Sequence, residues 1–293
     1  MRQVNRLIWG ASGVATALAL AIPGARVLTK ANVNDAPPPI SAAPVATLPA
    51  ATAGLIVDSC GASVRVVAQP VHQIKVTEAG NYPPDQGITP SVTWSLSGKQ
   101  VTVGDPQCDT LFNVNIDIVT VPEGTPVTVD SQGGNVNVSG TAMTTVDSQG
   151  GDVMVNTTHG ATTVNSGSGL VTAAVIDGTL TVDSQGGNVR VNGLTGMLDA
   201  DTGGGDLTAV GLSSPNMTAV SDGGNQRIGF ISAPRDVILS TGGGNVNLDV
   251  PGGPYALSPS TDNGGWNVRI PVDQTAGRII TVTTDGGNLL VAP

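Results

Sequence analysis

Carboxylate side chains recur at a nearly constant interval in the second half of the chain. Asp130, Asp147, Asp183 and Asp201 each stand four residues before the second glycine of a Gly-rich turn, and Asn165 takes the same place between them. If these positions stack, neighbouring carboxylates about 5 Å apart repel by roughly 1 kcal/mol in water-like surroundings. A bound cation would relieve that repulsion, and Ca²⁺ prefers oxygen ligands. The spacing therefore predicts a candidate stripe for low-affinity Ca²⁺ or surface binding.

The same column also has an interpretation that needs no ligand. Solvated aspartates can accept backbone N–H bonds at a glycine corner and deter edge-to-edge aggregation of strands. The chain also departs from the calcium-binding Gly-Gly-x-Gly-x-Asp pattern, which recurs about every nine residues. We therefore expect no cofactor and no metal ion, with Ca²⁺ at the four aspartates as the alternative.

Catalytic patterns are nearly absent. Asp199 and Asp201 with Arg190 are the nearest approximation to the clustered carboxylates and cation of glycan-cleaving β-helices. The chain contains no His-Glu-x-x-His, Cys-x-x-Cys, Gly-x-Ser-x-Gly or phosphate loop. We therefore predict no catalytic residues and no enzymatic activity, with a glycan-active β-helix enzyme as the alternative.

These residues belong to nine copies of one short sequence motif, such as Thr-Val-Asp-Ser-Gln-Gly-Gly at 181–187. Such a period indicates stacked repeats, each burying its apolar face against its neighbours. We take the second glycine of each copy as the marked glycine, and successive gaps run from 17 to 22 residues. The series is Gly134, Gly151, Gly169, Gly187, Gly205, Gly224, Gly244, Gly265 and Gly287.

Positions before the marked glycine alternate in character. The residues seven and five before it are mostly apolar, as in Leu180 and Val182, and their shared parity on a β-strand predicts the core face. The residue three before is Ser or Thr in eight of nine repeats. We expect it inward, with its hydroxyl bonded to a neighbouring coil. We expect the glycines to supply positive φ at corners. The eighth repeat breaks the pattern at several positions.

The period predicts an all-β fold, a parallel β-solenoid (β-helix-like) of about nine coils with an N-terminal β cap, preceded by a membrane-directing helix. Nine coils at a strand spacing of roughly 4.8 Å give a rod about 40 Å long. A stack of separate hairpins would be marginal because the strands are short. A left-handed hexapeptide helix needs an aliphatic residue at every sixth position, which residues 137–146 do not provide.

Composition narrows the function further. The 293 residues include 40 Gly and only 2% aromatics, with a formal net charge of −10. This composition suits thin β-coils. An acidic surface argues against nucleic acid as a partner, because phosphate binding needs a basic one.

The chain divides into four predicted segments. Residues 1–26 are a signal peptide or signal-anchor helix, 27–54 a Pro/Ala-rich linker, 55–126 a β-rich cap region and 127–293 the solenoid. Two arginines precede a 19-residue uncharged stretch at 7–25, so the positive-inside rule exports the rest. We expect a chain that is membrane-anchored facing outside, or secreted; cleavage stays open.

The cap region carries the only two cysteines. Its strands are less regular, and we assign them to an end cap because a solenoid's first coil would otherwise expose its core and an edge. Trp94 and Phe112 are expected in its core. In an exported chain, Cys60 and Cys108 favour a disulfide, with two buried free thiols as the alternative.

One part of the pattern resembles a known family. The lead-in Ile-Val-Thr-Val-Pro-Glu-Gly at 118–124, followed by repeats of Ser-x-Gly-Gly-Asp/Asn-Val, is similar to the bacterial putative-adhesin family, a domain of unknown function. The resemblance covers about residues 55–293. It implies a β-solenoid and an envelope location, and it carries no catalytic residues over.

These features favour a non-catalytic structural or interaction module of the cell envelope. Its expected partners are an unknown envelope protein or glycan, and the membrane through the N-terminal helix. The alternative is the external part of an envelope-stress sensing system, which would require a membrane partner for signalling.

Overall fold

The computed structural model describes residues 43–49, 53–81, 93–104 and 113–293, and the predicted N-terminal helix lies outside these ranges. Every regular element within them is a β-strand, which confirms the all-β prediction. None of the described residues belongs to a helix that is long and apolar enough to cross a membrane.

The strands are, in chain order, β1 (Ala43–Pro49), β2 (Gly54–Ser59), β3 (Val64–Gln69), β4 (Gln73–Asn81), β5 (Thr93–Ser97), β6 (Gln100–Gly104), β7 (Asn113–Pro122), β8 (Val127–Ser131), β9 (Val136–Ser139), β10 (Thr144–Ser148), β11 (Val153–His159), β12 (Thr162–Ser166), β13 (Val171–Asp177), β14 (Leu180–Ser184), β15 (Val189–Thr195), β16 (Leu198–Asp201), β17 (Leu207–Ser213), β18 (Asn216–Ser221), β19 (Gln226–Phe230), β20 (Asp236–Thr241), β21 (Val246–Asp249), β22 (Ala256–Thr261), β23 (Trp266–Val268), β24 (Ile279–Thr284) and β25 (Leu289–Ala292).

These strands form two sheets around one core. The first sheet has the order β1-β4-β7-β3-β9-β11-β13-β15-β17-β19-β21-β25-β23, and the second has the order β22-β24-β20-β18-β16-β14-β12-β10-β8-β2-β6-β5. After residue 127 each coil adds one strand to each sheet, always parallel to its neighbours. Nine such coils confirm the predicted parallel β-solenoid.

The predicted inward positions form the core. Leu180 and Val182 are buried, as are their counterparts one coil away, Leu198 and Ala200. On the first sheet, the residue two positions after the marked glycine is buried as well, for example Val189. Mostly β-branched and aliphatic side chains fill this thin interior, and they suit a pleated surface packed on one face.

The marked glycines are required because successive coils stack closely, and not because their backbone needs a positive φ, as the sequence had predicted. A Cβ on Gly205 would overlap the carbonyl oxygen of Gly187, and a Cβ on Gly187 would overlap that of Gly169. Among the marked glycines only Gly169 has a positive φ. The expectation of positive φ at every corner was therefore wrong, because successive coils approach backbone to backbone there and leave no room for a side chain.

The Ser/Thr column is inward as predicted, but most of its hydroxyls bond within their own coil. Ser131 donates to the carbonyl oxygen of Gly134 at 3.1 Å, and Ser184 to that of Gly187 at 2.9 Å. Thr241 instead reaches the neighbouring coil, donating to Gly224 at 3.1 Å. The hydroxyl column thus satisfies buried carbonyls of the glycine corners.

The eighth repeat has a register one residue earlier than the sequence suggested. Leu257, Pro259 and Thr261 pair with Ile280, Val282 and Thr284. Gly264, rather than Gly265, is therefore the marked glycine, and a Cβ on it would overlap the carbonyl oxygen of Gly287. Serines and Pro259 in place of aliphatic residues had concealed this register.

Coils also lie before residue 127. In the second sheet β2 pairs in parallel with β8, aligning Leu55 with Val127 and Ser59 with Ser131, and β6 pairs in parallel on its other side. In the first sheet β3 lies between β7 and β9. The described part of the region predicted as a separate cap therefore continues both solenoid sheets. Spatial order departs from chain order there, because 54–69 lies between 100–122 and 127–139.

Two further predictions about the N-terminal end differ from the structure. The predicted linker contains β1, which pairs antiparallel with β4 and buries Leu48. Trp94 is 50% exposed instead of buried, because it lies on β5, the antiparallel edge strand of the second sheet. Phe112 falls outside the described residues.

The C-terminal end shows a second exchange of order. The coil of β24 and β25 inserts between the coil of β20 and β21 and the outermost coil, β22 and β23. The segment 270–278 then folds over that end: Gln274 donates to the Leu257 carbonyl at 2.9 Å, and the backbone N–H of Asp273 donates to the carbonyl of the fully buried Tyr255 at 3.0 Å. This segment is an end cap that the sequence analysis did not predict.

Candidate functional site

The parallel register stacks the predicted acidic positions on the outer face of the second sheet. Adjacent pairs run through Asp58, Asp130, Asp147, Asn165, Asp183 and Asp201. We call this set the Asp column. Sequence reasoning missed Asp58, because residues 55–126 were assigned to a cap. The signal was present, since Val-Asp-Ser at 57–59 repeats the Val-Asp-Ser at 129–131.

Charges within the Asp column influence one another. Partial burial raises the pKa of Asp130, and the carboxylates of Asp58 and Asp147 raise it further. Asn165 interrupts the series, and its Nδ2 donates to Oδ1 of Asp147 at 2.5 Å. Asp201 accepts a bond of 3.1 Å from the backbone N–H of Gly203, which is the corner bond expected from the ligand-free interpretation.

The Asp column borders an open groove of about 520 Å³, lined mainly by Asp130, Asp147, Asp183, Gln149 and Gln185. Within the described ranges, no three His, Cys, Asp or Glu side chains converge so that they could hold a metal ion. Parallel stacking aligns the carboxylates in a line, whereas a Ca²⁺ site needs six to eight oxygens around one point. The groove offers a polar, negatively charged surface.

The candidate catalytic residues are not brought together. Asp199 and Asp201 lie on β16 in the second sheet, whereas Arg190 lies on β15 in the first. All three are exposed on outward positions, so the two sheets and the core separate the arginine from the carboxylates. No acid–base pair forms from these residues.

The predicted disulfide is described at one end only. Cys60 is disulfide-bonded, and its expected partner Cys108 lies outside the described residues. Cys60 follows directly after β2, so this covalent link is anchored next to the coil that carries Asp58.

An amide and carboxylate ladder, which the sequence analysis did not interpret, follows the marked glycines. Oδ1 of Asp206 accepts the backbone N–H of Asn225 at 2.8 Å, and Oδ1 of Asn225 accepts that of Asn245 at 3.0 Å. The same bond joins Asn245 to Asn288 and Asn288 to Gly265. The signal was the Asp or Asn that follows most Gly-Gly pairs of the repeats. These side chains stabilise the stack and are not free for ligands.

A second groove lies at the C-terminal end of the first sheet. It has a volume of about 470 Å³ and is lined by residues from three adjacent strands, including Asn247, Trp266, Asn267, Arg269 and Leu290. We call it the Trp266 groove. Trp266 is 61% exposed. Sequence reasoning did not single out Trp266, because the irregular eighth repeat obscured its register.

No family model and no curated protein matches this chain. A solved putative adhesin from Bacteroides fragilis aligns over 85% of this chain and 95% of its own, with 10% identity and a TM-score of 0.42. A putative cell adhesion protein from Clostridium sporogenes aligns over 87% of this chain and 99% of its own, with 9% identity and a TM-score of 0.21. Neither likeness transfers a family, a function or a residue role to this chain.

Proposed function

We propose that this chain is a non-catalytic, adhesin-like interaction module of the cell envelope, displayed outside the membrane. One observation carries the proposal: the two grooves that polar side chains line in the described coils, at the Asp column and at Trp266, are both open surfaces. Catalytic sites are usually concave and exclude water. A rod with open, chemically different faces suits binding to an extended partner.

Two features support an envelope location. The basic residues before the uncharged stretch at 7–25 favour export of everything that follows. Disulfides persist in oxidising compartments, and Cys60 is disulfide-bonded. The disulfide at Cys60 and the hydrogen-bonded ladder would both help to keep such a rod folded outside the cytoplasm.

Protease shaving tests the location. We expect a C-terminal epitope tag on the full chain to be removed from intact cells, or from spheroplasts if an outer membrane is present. A cytoplasmic control protein should survive the same treatment. A tag that is cleaved only after cell lysis would contradict export.

Bead retention tests the binding role. Beads coated with the full chain should be retained by purified cell-envelope material, and beads coated with an unrelated protein of equal net charge should not. Equal retention of both beads would contradict a specific interaction module. A parallel screen for glycan hydrolysis should show no turnover; turnover that is lost on Asp201→Asn would instead establish an enzyme.

A further inference from the structure

The Trp266 groove differs from the rest of the rod in its aromatic residue. Trp266 pairs with Leu289, and the same position one coil further holds Val246; both of these are buried. Trp266 occupies this core register on the outermost strand, where no further coil covers it. An indole has a large apolar face and is typical of binding surfaces when it stays accessible. At about 470 Å³, the groove is within the usual range of ligand sites.

One amide side chain in the same groove is available for a ligand. Asn267 is exposed, and no hydrogen bond of its side chain occurs among the described residues. Its amide can both donate and accept. Asn245 and Asn288 differ, because their amides are engaged in the ladder. Oδ1 of Asn247 has no hydrogen-bond partner among the described residues, but it is shielded from solvent and a ligand would reach it only after a change of rotamer.

The charge of this groove is opposite to that of the Asp column. Its lining contains Arg269 and no carboxylate, although the chain carries a net charge of −10. No ion pair of Arg269 is present in the described part of the chain. A guanidinium presents a planar fork of donors that matches a carboxylate with two parallel hydrogen bonds.

We propose that the Trp266 groove binds an oligosaccharide that carries carboxylate groups, of the uronic acid class. The apolar C–H face of a pyranose ring packs on the indole of Trp266. Ring hydroxyls bond to the amide of Asn267, and the sugar carboxylate pairs with Arg269. This inference rests on the proposed role as an interaction module, and it names the partner class and the site.

A second, smaller groove extends the site along the rod. It has a volume of about 170 Å³, shares Asn245 and Asn247 with the Trp266 groove, and includes Arg227 together with Asp206, whose Oδ1 accepts two hydrogen bonds from Asn225. Arg227 lies three coils from Asn267, a distance of roughly 14 Å at the usual strand spacing. A polymer of acidic sugars can therefore continue from one groove into the other.

Calorimetry with defined oligosaccharides tests the proposal. The probes are hexasaccharides of galacturonic and of glucuronic acid, each compared with its methyl ester, which keeps the rings and removes the charge. We expect the full chain to bind at least one acid form, and to bind the matching ester at least tenfold more weakly. Trp266→Ala should weaken binding at least tenfold, and Arg269→Gln should reduce the affinity for the acid to that for the ester.

Matched variants keep the test specific. Trp94→Ala removes an exposed tryptophan at the other end of the rod, and Arg190→Gln removes an exposed arginine outside the groove; both should bind as the wild-type chain does. If Trp266→Ala fails to fold by circular dichroism, Arg269→Gln and Asn267→Ala carry the test. Unchanged affinity in the groove variants, or no binding of either acid form, would overturn the proposal.

The two proposals can fail separately. If coated beads are retained by envelope material but groove variants are retained equally well, the rod is an interaction module and the groove proposal is wrong. If the acidic hexasaccharides bind but coated beads are not retained, the groove is a sugar site and the adhesin-like role is wrong.

Discussion

The central coils and the two ends of this solenoid are built by different rules. Between residues 127 and 249 the coils stack in chain order, with Val, Ser, Gly and Asn or Asp repeating at matched positions. At each end the spatial order of two coils departs from their order in the chain. At the N-terminal end, the coil of β2 and β3 lies between the coil of β6 and β7 and the first central coil. At the C-terminal end, the coil of β24 and β25 lies between the last central coil and the coil of β22 and β23. Repetition therefore specifies a coil that has equivalent neighbours on both sides, and irregular residues specify where stacking stops.

The C-terminal end also lacks the groups that would recruit another coil. Pro259 lies in β22 and has no N–H to offer to a further strand. The backbone N–H of Gly265 donates the last ladder bond to Oδ1 of Asn288, and Gly265 has no side chain that could accept a further one. These residues explain why no further coil stacks on the outermost coil, which is formed by β22 and β23.

The largest expected effect is at a central marked glycine. Gly205→Ala should lower the free energy of unfolding by about 3 kcal/mol or more, because its Cβ would overlap the Gly187 carbonyl and push two packed coils apart. Denaturation followed by circular dichroism measures this. The matched control is Gly204→Ala, next along the chain, where a Cβ meets open space and the change should stay within about 0.5 kcal/mol. Equal effects would mean that the coils are not closely stacked.

The same substitution at the end should cost less. Gly264→Ala creates a similar overlap with the Gly287 carbonyl, but the outermost coil has a neighbour on one side only and can shift outward. We expect a loss of about 1 kcal/mol, because local opening at an end releases only part of the stack. Gly265→Ala, whose Cβ would make an ordinary contact with Asn288 at 3.5 Å, is the control. A loss as large as that of Gly205→Ala would show that the end is as tightly held as the centre.

A smaller, stabilising effect is expected where a side chain occupies a left-handed backbone position. Gly193 and Gly211 take such a position inside β15 and β17, with φ of 73° and 70°, and Thr157 and Val175 take the equivalent positions in β11 and β13, both with φ of 54°. Left-handed backbone costs a side-chain-bearing residue roughly 1–2 kcal/mol, and glycine's extra unfolded-state entropy returns about half of that. Val175 is 59% exposed, so Val175→Gly should gain about 0.5–1 kcal/mol.

A control in an extended strand isolates the backbone effect. Val220 is also partly exposed but lies in β18, so Val220→Gly should destabilise the chain in the same denaturation experiment. If both variants lose stability, the left-handed backbone at Val175 is not strained.

Sequence alone predicted the central architecture because each position recurs with the same burial. Leu180, Val182 and Ser184 could be placed inward from parity, and the structure has them there. The reason for the glycines was missed, since overlap with a neighbouring coil depends on a contact about 18 residues away. The coils at 54–69 were missed because one copy of Val-Asp-Ser far from the others does not establish a period.

The candidate sites were predictable to different degrees. The Asp column follows directly from register, and only Asp58 escaped it. The Trp266 groove could not be predicted, because the one-residue shift of the eighth repeat hides which residues become neighbours of Asn247. Ends of a stack are specified by tertiary contacts that carry no periodic signal.

The smallest expected effect tests the junction between an end coil and the central coils. Asp58 belongs to the inserted coil and Asp130 to the first central one, and they are adjacent in register. The pKa of Asp130 is raised from 3.8 by partial burial first and then by the charges of Asp58 and Asp147. A carboxyl with a raised folded-state pKa favours the folded chain fully below pH 3.8, and this contribution is lost as pH rises through the folded-state pKa.

Asp130→Asn should therefore raise the free energy of unfolding at pH 7, by less than about 1 kcal/mol at this largely exposed site, and the gain should vanish near pH 3. In an Asp58→Asn background the gain should shrink; an undiminished gain would mean that the two coils are not neighbours in solution.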